Sequence, residues 1–257
     1  VKMITEIKKT LFIIGSGPGN PDFLTIKAYN VLKKSEIVLF DNLVSQEILD
    51  LCPEDCKKVY VGKHPYGEYV PQDDINTLIS YYCNRFSNVV RLKGGDPYIF
   101  GRGFEEWLYA KTLGIAVEYI PGISSMQGTG VNDIPLTHRG ISEGVWALTG
   151  MKSNGEMAAD LTLAAQSNST VIIYMGMRKL TEIARTYVLH GKGDTPAAII
   201  QHATRPNQKI VTCSVKDLQK TSQQHEMAHP AIIVIGHVVN LQNNIYSSIL
   251  QDNRIVV

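Results

Sequence analysis

No apolar run in this chain approaches the roughly 20 residues that a membrane-crossing helix needs, so no transmembrane helix is expected. The opening residues VKMITEIKKT lack the apolar core of a secretory signal, and a cytoplasmic location is the expectation. Cysteine is scarce: Cys52, Cys56, Cys83 and Cys213. Only Cys52 and Cys56 stand close together, and a lone C-x3-C without a second pair makes a poor zinc site, so free thiols and no metal are expected. Net charge is also nearly absent, with 25 basic against 24 acidic side chains. That balance leaves no general field for nucleic acid and none for an anionic membrane surface, although it allows a local cluster of cations. What remains is an ordinary globular balance, 44% hydrophobic over 257 residues. This length suffices for one large domain or two α/β lobes of about 100–150 residues each.

Short apolar runs alternate with helical patterns, which indicates an α/β architecture. LFIIG (11–15), EIVLF (36–40), KKVYV (57–61), VVRLK (89–93) and AVEYI (116–120) read as strands. The helical patterns between them lie at 24–35, 46–51, 72–86 and 104–113. A mostly parallel sheet with right-handed crossovers is expected over residues 10–122. The segment 123–144 reads as an interlobe connection; with the two residues before it, it holds five glycines and two prolines. A second α/β lobe (145–245) follows, with strands in VWALTG, TVIIYMG, AAIIQ, KIVTCSV and AIIVIG and a helix near 178–190. KIVTCSV comes soon after AAIIQ, so antiparallel pairing and a mixed sheet are expected there, and 246–257 reads as a tail.

The loop Gly15-Ser16-Gly17-Pro18-Gly19-Asn20 follows the first strand, where a dinucleotide site would place its glycines. Asn20 occupies the third fingerprint position, and Pro18 removes an amide donor from the middle of the loop. No Gly-Lys-Ser/Thr follows, so a P-loop is excluded as well. The loop therefore suits a ligand without phosphate. Asp41, at the end of the second strand, is the one feature favouring a nicotinamide enzyme, because a ribose-binding carboxylate stands there in such proteins.

RLKGGDPYIFGRG (91–103) is the most informative run. Gly94 and Gly95 let backbone face a ligand at a strand end, Asp96 offers acceptors, Pro97 fixes a turn, and Arg102 is a cation between two glycines. Taken in order, GSGPGNPDFLTIKA, LFDNLV, VGK, RLKGGDPYIFGRG, PGISS, PLTHR and YMG resemble the uroporphyrinogen-III C-methyltransferases of the tetrapyrrole methylase family, over about residues 10 to 240. The resemblance implies two α/β lobes with a cofactor cleft between them, a homodimer, and S-adenosyl-L-methionine as cofactor, released as S-adenosyl-L-homocysteine. It further implies C-methylation of uroporphyrinogen III at two ring carbons, giving precorrin-2 by way of precorrin-1. A later precorrin is the alternative substrate.

Carried over residue by residue, the resemblance implies cofactor contacts at Pro18, Gly94, Gly95, Asp96, Ile99, Ser124, Ser125, Met175 and Ala203. Glycine is usual at the last position, and alanine serves there provided its φ is not positive. On residues alone, Met175 reads as core at a strand end. The same mapping nominates Asp41 as proton acceptor and Lys63 as donor, with Arg102 a rival for proton handling although arginine is a poor base. A substrate with eight carboxylates needs guanidinium groups, and Arg102 and Arg139 are the candidates, assisted by Glu105, His138 and Met175. Three departures from the family pattern bear on substrate contacts: Glu68 where histidine is common, Met151 after Gly150, and Asn132-Asp133 where small residues are usual.

Overall fold

The computed structural model describes residues 9–62, 70–152 and 154–241. The chain divides into two compact units, Val1–Ser124 and Ser125–Val257.

The first unit is built on five strands: β1 (Thr10–Gly15), β2 (Ile37–Phe40), β3 (Lys57–Tyr60), β4 (Asn88–Lys93) and β5 (Ala116–Ile120). They lie in the order β3-β2-β4-β1-β5, and every pairing is parallel. Strands buried on both faces read as near-continuous apolar runs, which is why LFII and IVL were legible. Side-chain alternation divides the core. Ile14, Val38, Val90 and Leu92 pack on one face with Ala28 and Leu32 of α1 (Ile26–Leu32) and Ile48 and Leu49 of α2 (Gln46–Leu49). Leu11, Ile13, Leu39 and Val89 pack on the other with Ile75, Ile79 and Tyr82 of α3 (Gln72–Cys83) and Ala110 of α4 (Gly103–Thr112).

This topology fixes where a ligand can be held. The β1-to-β2 crossover passes over β4 on one face, and the β4-to-β5 crossover passes over β1 on the other. The loops leaving the adjacent carboxyl ends of β1 and β4 therefore part in opposite directions. That is a topological switch point, the usual ligand position in open parallel sheets.

The second unit carries β6 (Val145–Thr149), β7 (Thr170–Tyr174), β8 (Pro196–Gln201), β9 (Lys209–Ser214) and β10 (Ala231–Ile235) in the order β6-β7-β10-β8-β9. β6 and β7 are parallel, whereas β10 is antiparallel to β7 and β8, and β8 to β9, so the sheet is mixed. Helices α5 (Leu161–Gln166), α6 (Leu180–Leu189) and α7 (Leu218–Gln224) complete it. Sequence reading located α6 and missed α5 and α7, which are six and seven residues long. Because β6, β7 and β8 run in one direction, their carboxyl ends share one edge of the sheet. Among the described residues no helix is long and apolar enough to cross a membrane, and no three His, Cys, Asp or Glu side chains are grouped to hold a metal ion.

Candidate active site

At the switch point of the first unit, the two glycine loops bond to each other. Gly17 N donates to Gly95 O at 3.2 Å, Gly95 N donates to Gly17 O at 2.8 Å, and Ser16 N donates to Lys93 O at 2.8 Å. A Cβ on Gly122 would lie 2.2 Å from Gly95 O, and one on Gly15 would lie 2.5 Å from both Gly95 O and Gly122 N. Glycine is thus required by backbone-to-backbone packing of three strand ends. Two of the loop's amides, those of Ser16 and Gly17, are already spent, and Pro18 has none. Asn20, in the third fingerprint position, caps the short 3-10 turn Pro21–Phe23 by accepting from Asp22 N at 2.9 Å. Helix α1 starts only at Ile26, capped by Thr25, so its N-terminus does not abut the glycines. Geometry and sequence agree that this is not a phosphate-binding turn.

Asp96 is buried, and its carboxylate accepts from Tyr98 N at 2.8 Å, Tyr119 Oη at 2.6 Å and Gly122 N at 3.1 Å. It ties the β4 loop to the end of β5, and Tyr98 stacks on Tyr119 with ring centroids 3.9 Å apart. Burial first, and then the Asp96 carboxylate, push the Tyr119 hydroxyl far above its ordinary pKa, so it stays a donor. Ile99 N donates back to Asp96 O, closing the turn. Gly103 N donates to Pro97 O, and a Cβ on Gly101 or Gly103 would fall 2.7 Å from Pro97 atoms. The glycines around Arg102 therefore make way for Pro97 rather than for the guanidinium. Arg102 itself is left-handed, φ 57°, and sits at the start of α4. Its guanidinium grips Glu105 through Nε at 3.0 Å and Nη2 at 2.7 Å, and Arg102 in turn holds the Glu105 carboxyl below its usual range. Both side chains are exposed, so this pair orients the arginine more than it stabilises the fold.

Asp41 sits at the same carboxyl edge. Its Oδ1 accepts from Leu43 N at 3.0 Å, and a Cβ on Gly94 would lie 2.5 Å from Leu43 Cβ, so the Asp41 loop packs directly on the Gly94-Gly95 loop. Its Oδ2 lies 3.5 Å from Arg91 Nη2. Lys63 and Glu68 lie outside the described residues.

Sequence reading missed what stands behind Asp41. Arg91 and Lys93 occupy alternate positions of β4 and share the α3/α4 face, where both converge on Glu106 of α4. Arg91 Nε is 3.1 Å and Lys93 Nζ 3.0 Å from Glu106 Oε1, and all three residues are buried. Gln72 Nε2 approaches the same oxygen at 3.4 Å. Burial alone would raise the Glu106 carboxyl, but Arg91 and Lys93 outweigh it and hold the group below its usual range. Lys93 is lowered, by burial and then by Arg91. The signal was present in VVRLK: two cations in a central strand of a parallel sheet are an anomaly that demands buried partners.

In the second unit, Met175 follows β7, and Ala203 follows β8 by two residues, at the shared carboxyl edge. Met175 is left-handed, φ 55°, and half exposed, so it is not core. His202 and Thr204, on either side of Ala203, have positive φ, whereas Ala203 does not, so alanine is held there without strain. Asn132 accepts from Gln208 Nε2 at 2.7 Å, and Gln208 Oε1 accepts from Thr204 N at 2.7 Å. The departure at Asn132 thereby braces the loop carrying Ala203. Asp133 is left-handed, and Met151 N donates to Thr149 Oγ1. Ser125 opens a 3-10 stretch (Ser125–Asn132), and Ser124, buried, ends the first unit. His138 and Arg139 are exposed on a turn closed by His138 and Ser142, with His138 Nδ1 2.9 Å from Arg139 O.

A parallel sheet whose two glycine loops are bonded to each other at the switch point, joined in sequence to a mixed α/β unit, defines a class, and comparison with known proteins identifies it. Residues 10–219 match the family model of the Tetrapyrrole (Corrin/Porphyrin) Methylases, and the chain belongs to that family. Uroporphyrin-III C-methyltransferase from Thermus thermophilus, solved in complex with S-adenyl homocysteine, is 35% identical with a TM-score of 0.79; the match covers 90% of this chain and 99% of that one. A cobalt precorrin-4 methyltransferase superposes at a TM-score of 0.80 with 25% identity, covering 90% of this chain and 95% of that one. The siroheme synthase of Hydrogenovibrio crunogenus is 38% identical over 95% of this chain and 52% of its own length. That of Chromobacterium violaceum is 39% identical over 91% of this chain and 50% of its own length. The chain thus spans about half the length of the curated relatives it matches.

Proposed function

We propose that this chain is an S-adenosylmethionine-dependent methyltransferase that methylates uroporphyrinogen III at two ring carbons, giving precorrin-2 and S-adenosylhomocysteine, and that it acts as a cytoplasmic homodimer. The observation that carries the reading is the Gly17–Gly95 bridge at the switch point, which closes the loop to phosphate in a member of this family. Among the buried polar atoms that lack partners within the described residues are Ser16 Oγ, beside that bridge, and His202 Nδ1, next to Ala203. Both suit an adenosyl amino acid, which brings hydroxyl, amine and carboxylate groups and no phosphate. The proposed cofactor contacts are Pro18, Gly94, Gly95, Asp96, Ile99 and Ser124 from the first unit and Ser125, Met175 and Ala203 from the second. In Asp96 the contact falls to the backbone, since its carboxylate is engaged internally.

When bound, S-adenosylmethionine supplies a methyl group already activated by its sulfonium. The protein's task is alignment, worth up to about 7–11 kcal/mol of barrier. Arg102, held by Glu105, and Arg139 beside His138 bind carboxylates of the tetrapyrrole. Methylation at a pyrrole carbon leaves a cationic ring that must lose a proton, and Asp41 at the carboxyl edge accepts it, with Lys63 as the paired donor. The test is anaerobic incubation with uroporphyrinogen III and S-adenosylmethionine, followed by mass analysis. Gain of two methyl groups with matching adenosylhomocysteine is expected. Adenosylhomocysteine binding without methylation would move the substrate to a later precorrin, and protection by NAD instead would sink the assignment.

A further inference from the structure

Four charged side chains of the first unit form one connected group, and its arrangement is asymmetric. Arg91 is anchored three times without help from Asp41. Nε binds Glu106 Oε1 at 3.1 Å, and Nη1 binds Leu92 O at 2.9 Å and Leu39 O at 3.3 Å. Only Nη2 is turned to the open end of the sheet, where it stands 3.5 Å from Asp41 Oδ2. At that distance it acts as a fixed charge rather than a short hydrogen bond. The other Asp41 oxygen is held by Leu43 N. The side chains of Arg91, Lys93 and Glu106 are each at most 7% exposed, whereas that of Asp41 is 18% exposed. The chain of contacts thus runs from a rigid buried anchor to the one member that solvent and ligand can reach. Two cations balance two carboxylates, so Asp41 completes the neutrality of the group.

A buried ion group of this kind is a poor investment for stability alone, because apolar side chains of similar volume usually do as well or better. Glu106 Oε2 is even left without a hydrogen-bond partner among the described residues. Function explains the arrangement better than folding does. We propose that Arg91 is a positioning residue: held by Glu106 and the β2 and β4 carbonyls, it fixes the direction and negative charge of Asp41 for proton removal after methyl transfer. Lys93 shares Glu106 and keeps that carboxylate from swinging to another partner. The inference rests on the reading of Asp41 as the proton acceptor and deepens it.

The experiment is a double-substitution cycle read on kcat and on adenosylhomocysteine affinity. Arg91→Lys keeps the charge and loses the fork, and it is expected to lower kcat by roughly tenfold to a hundredfold, as for a reacting group displaced by about 1 Å. Adenosylhomocysteine affinity should hold within about twofold, since the glycine bridge is untouched. In the Asp41→Asn background, itself slow, the same substitution should change kcat by less than about twofold, because the group it positions is gone. Equal losses in both backgrounds would overturn the role of Arg91 while leaving the acceptor reading standing. Wild-type turnover in Asp41→Asn would overturn the acceptor reading and this inference with it. As a second variant, Arg91→Met, Lys93→Met and Glu106→Leu together replace the ion group by apolar volume that such sites commonly accept. That protein should fold, bind adenosylhomocysteine and turn over slowly; wild-type kcat in it would refute positioning by charge.

Discussion

Replacing Gly122 by alanine tests the backbone interlock that shapes the switch point. Gly122 is not left-handed, so alanine meets no conformational barrier there, and the whole effect is steric. The added methyl would stand 2.2 Å from Gly95 O and 2.7 Å from Gly15 Cα, all backbone with no flexible side chain to yield. Relief requires the end of β5 to part from the β1 and β4 loops by roughly 1 Å. Overpacking of this type costs about 1–3 kcal/mol. Loss of the reciprocal Gly17–Gly95 pair adds about 1 kcal/mol per bond. Together these amount to about 3–5 kcal/mol, and even the lower figure lowers Tm by roughly 6–12 °C for a protein of this size. Thermal unfolding followed by circular dichroism reads the stability, and titration with adenosylhomocysteine reads the loop, where affinity should fall in parallel. Gly130→Ala is the control, since no atom lies within 4 Å of a Cβ there and its φ is not positive. It should stay within about 0.5 kcal/mol of wild type. A Gly122→Ala protein as stable as that control would show that the interlock does not hold the loops.

Arg102→Ala should raise KM for uroporphyrinogen III by about tenfold or more while leaving adenosylhomocysteine affinity unchanged, as expected for one lost charged contact; an unchanged KM would remove it from the substrate mouth. Ala203→Gly should leave cofactor affinity within about twofold, because alanine is unstrained there, and a tenfold gain by calorimetry would show that the methyl intrudes. Glu106→Gln should cost about 3–5 kcal/mol at neutral pH by stranding Arg91 and Lys93. The folded pKa of Glu106 is depressed, so its contribution is whole above the unfolded value of about 4.3 and is lost as pH falls through the lower folded one. Urea midpoints of the two proteins should therefore converge below about pH 4, and a gap that stays constant to pH 3 would contradict the depressed carboxyl.

The central apolar strands were legible because burial on both faces writes continuous runs, and LFIIG and EIVLF map onto β1 and β2 almost residue for residue; AVEYI maps onto β5 although that strand lies at the sheet edge and is only partly buried. The defect in the glycine loop was legible too, but its reason was not: Asn20 and Pro18 showed a missing donor, whereas the closed Gly17–Gly95 bridge depends on two strands remote in sequence. Arg91, Lys93 and Glu106 escaped notice for the same cause. Their meaning lies in a pairing between β4 and α4 that no local pattern reports, and only the oddity of cations in a central strand pointed to it. Met175 shows the reverse case, where the local pattern suggested core and the left-handed turn after β7 puts the side chain outside it.

The closed glycine bridge also bears on competition inside a cell. S-adenosylmethionine shares its adenosine with ATP and NAD, so a site that merely recognised adenosine would spend much of its time filled by them. A phosphate seated at the first loop would have to open the bridge and leave the carbonyls of Gly17 and Gly95 unpaired beside its own negative charge. At about 1–3 kcal/mol for each carbonyl, the bridge disfavours such ligands by at least roughly thirtyfold. Refusal of the abundant nucleotides would then be built into the main chain rather than into any side chain that meets the ligand.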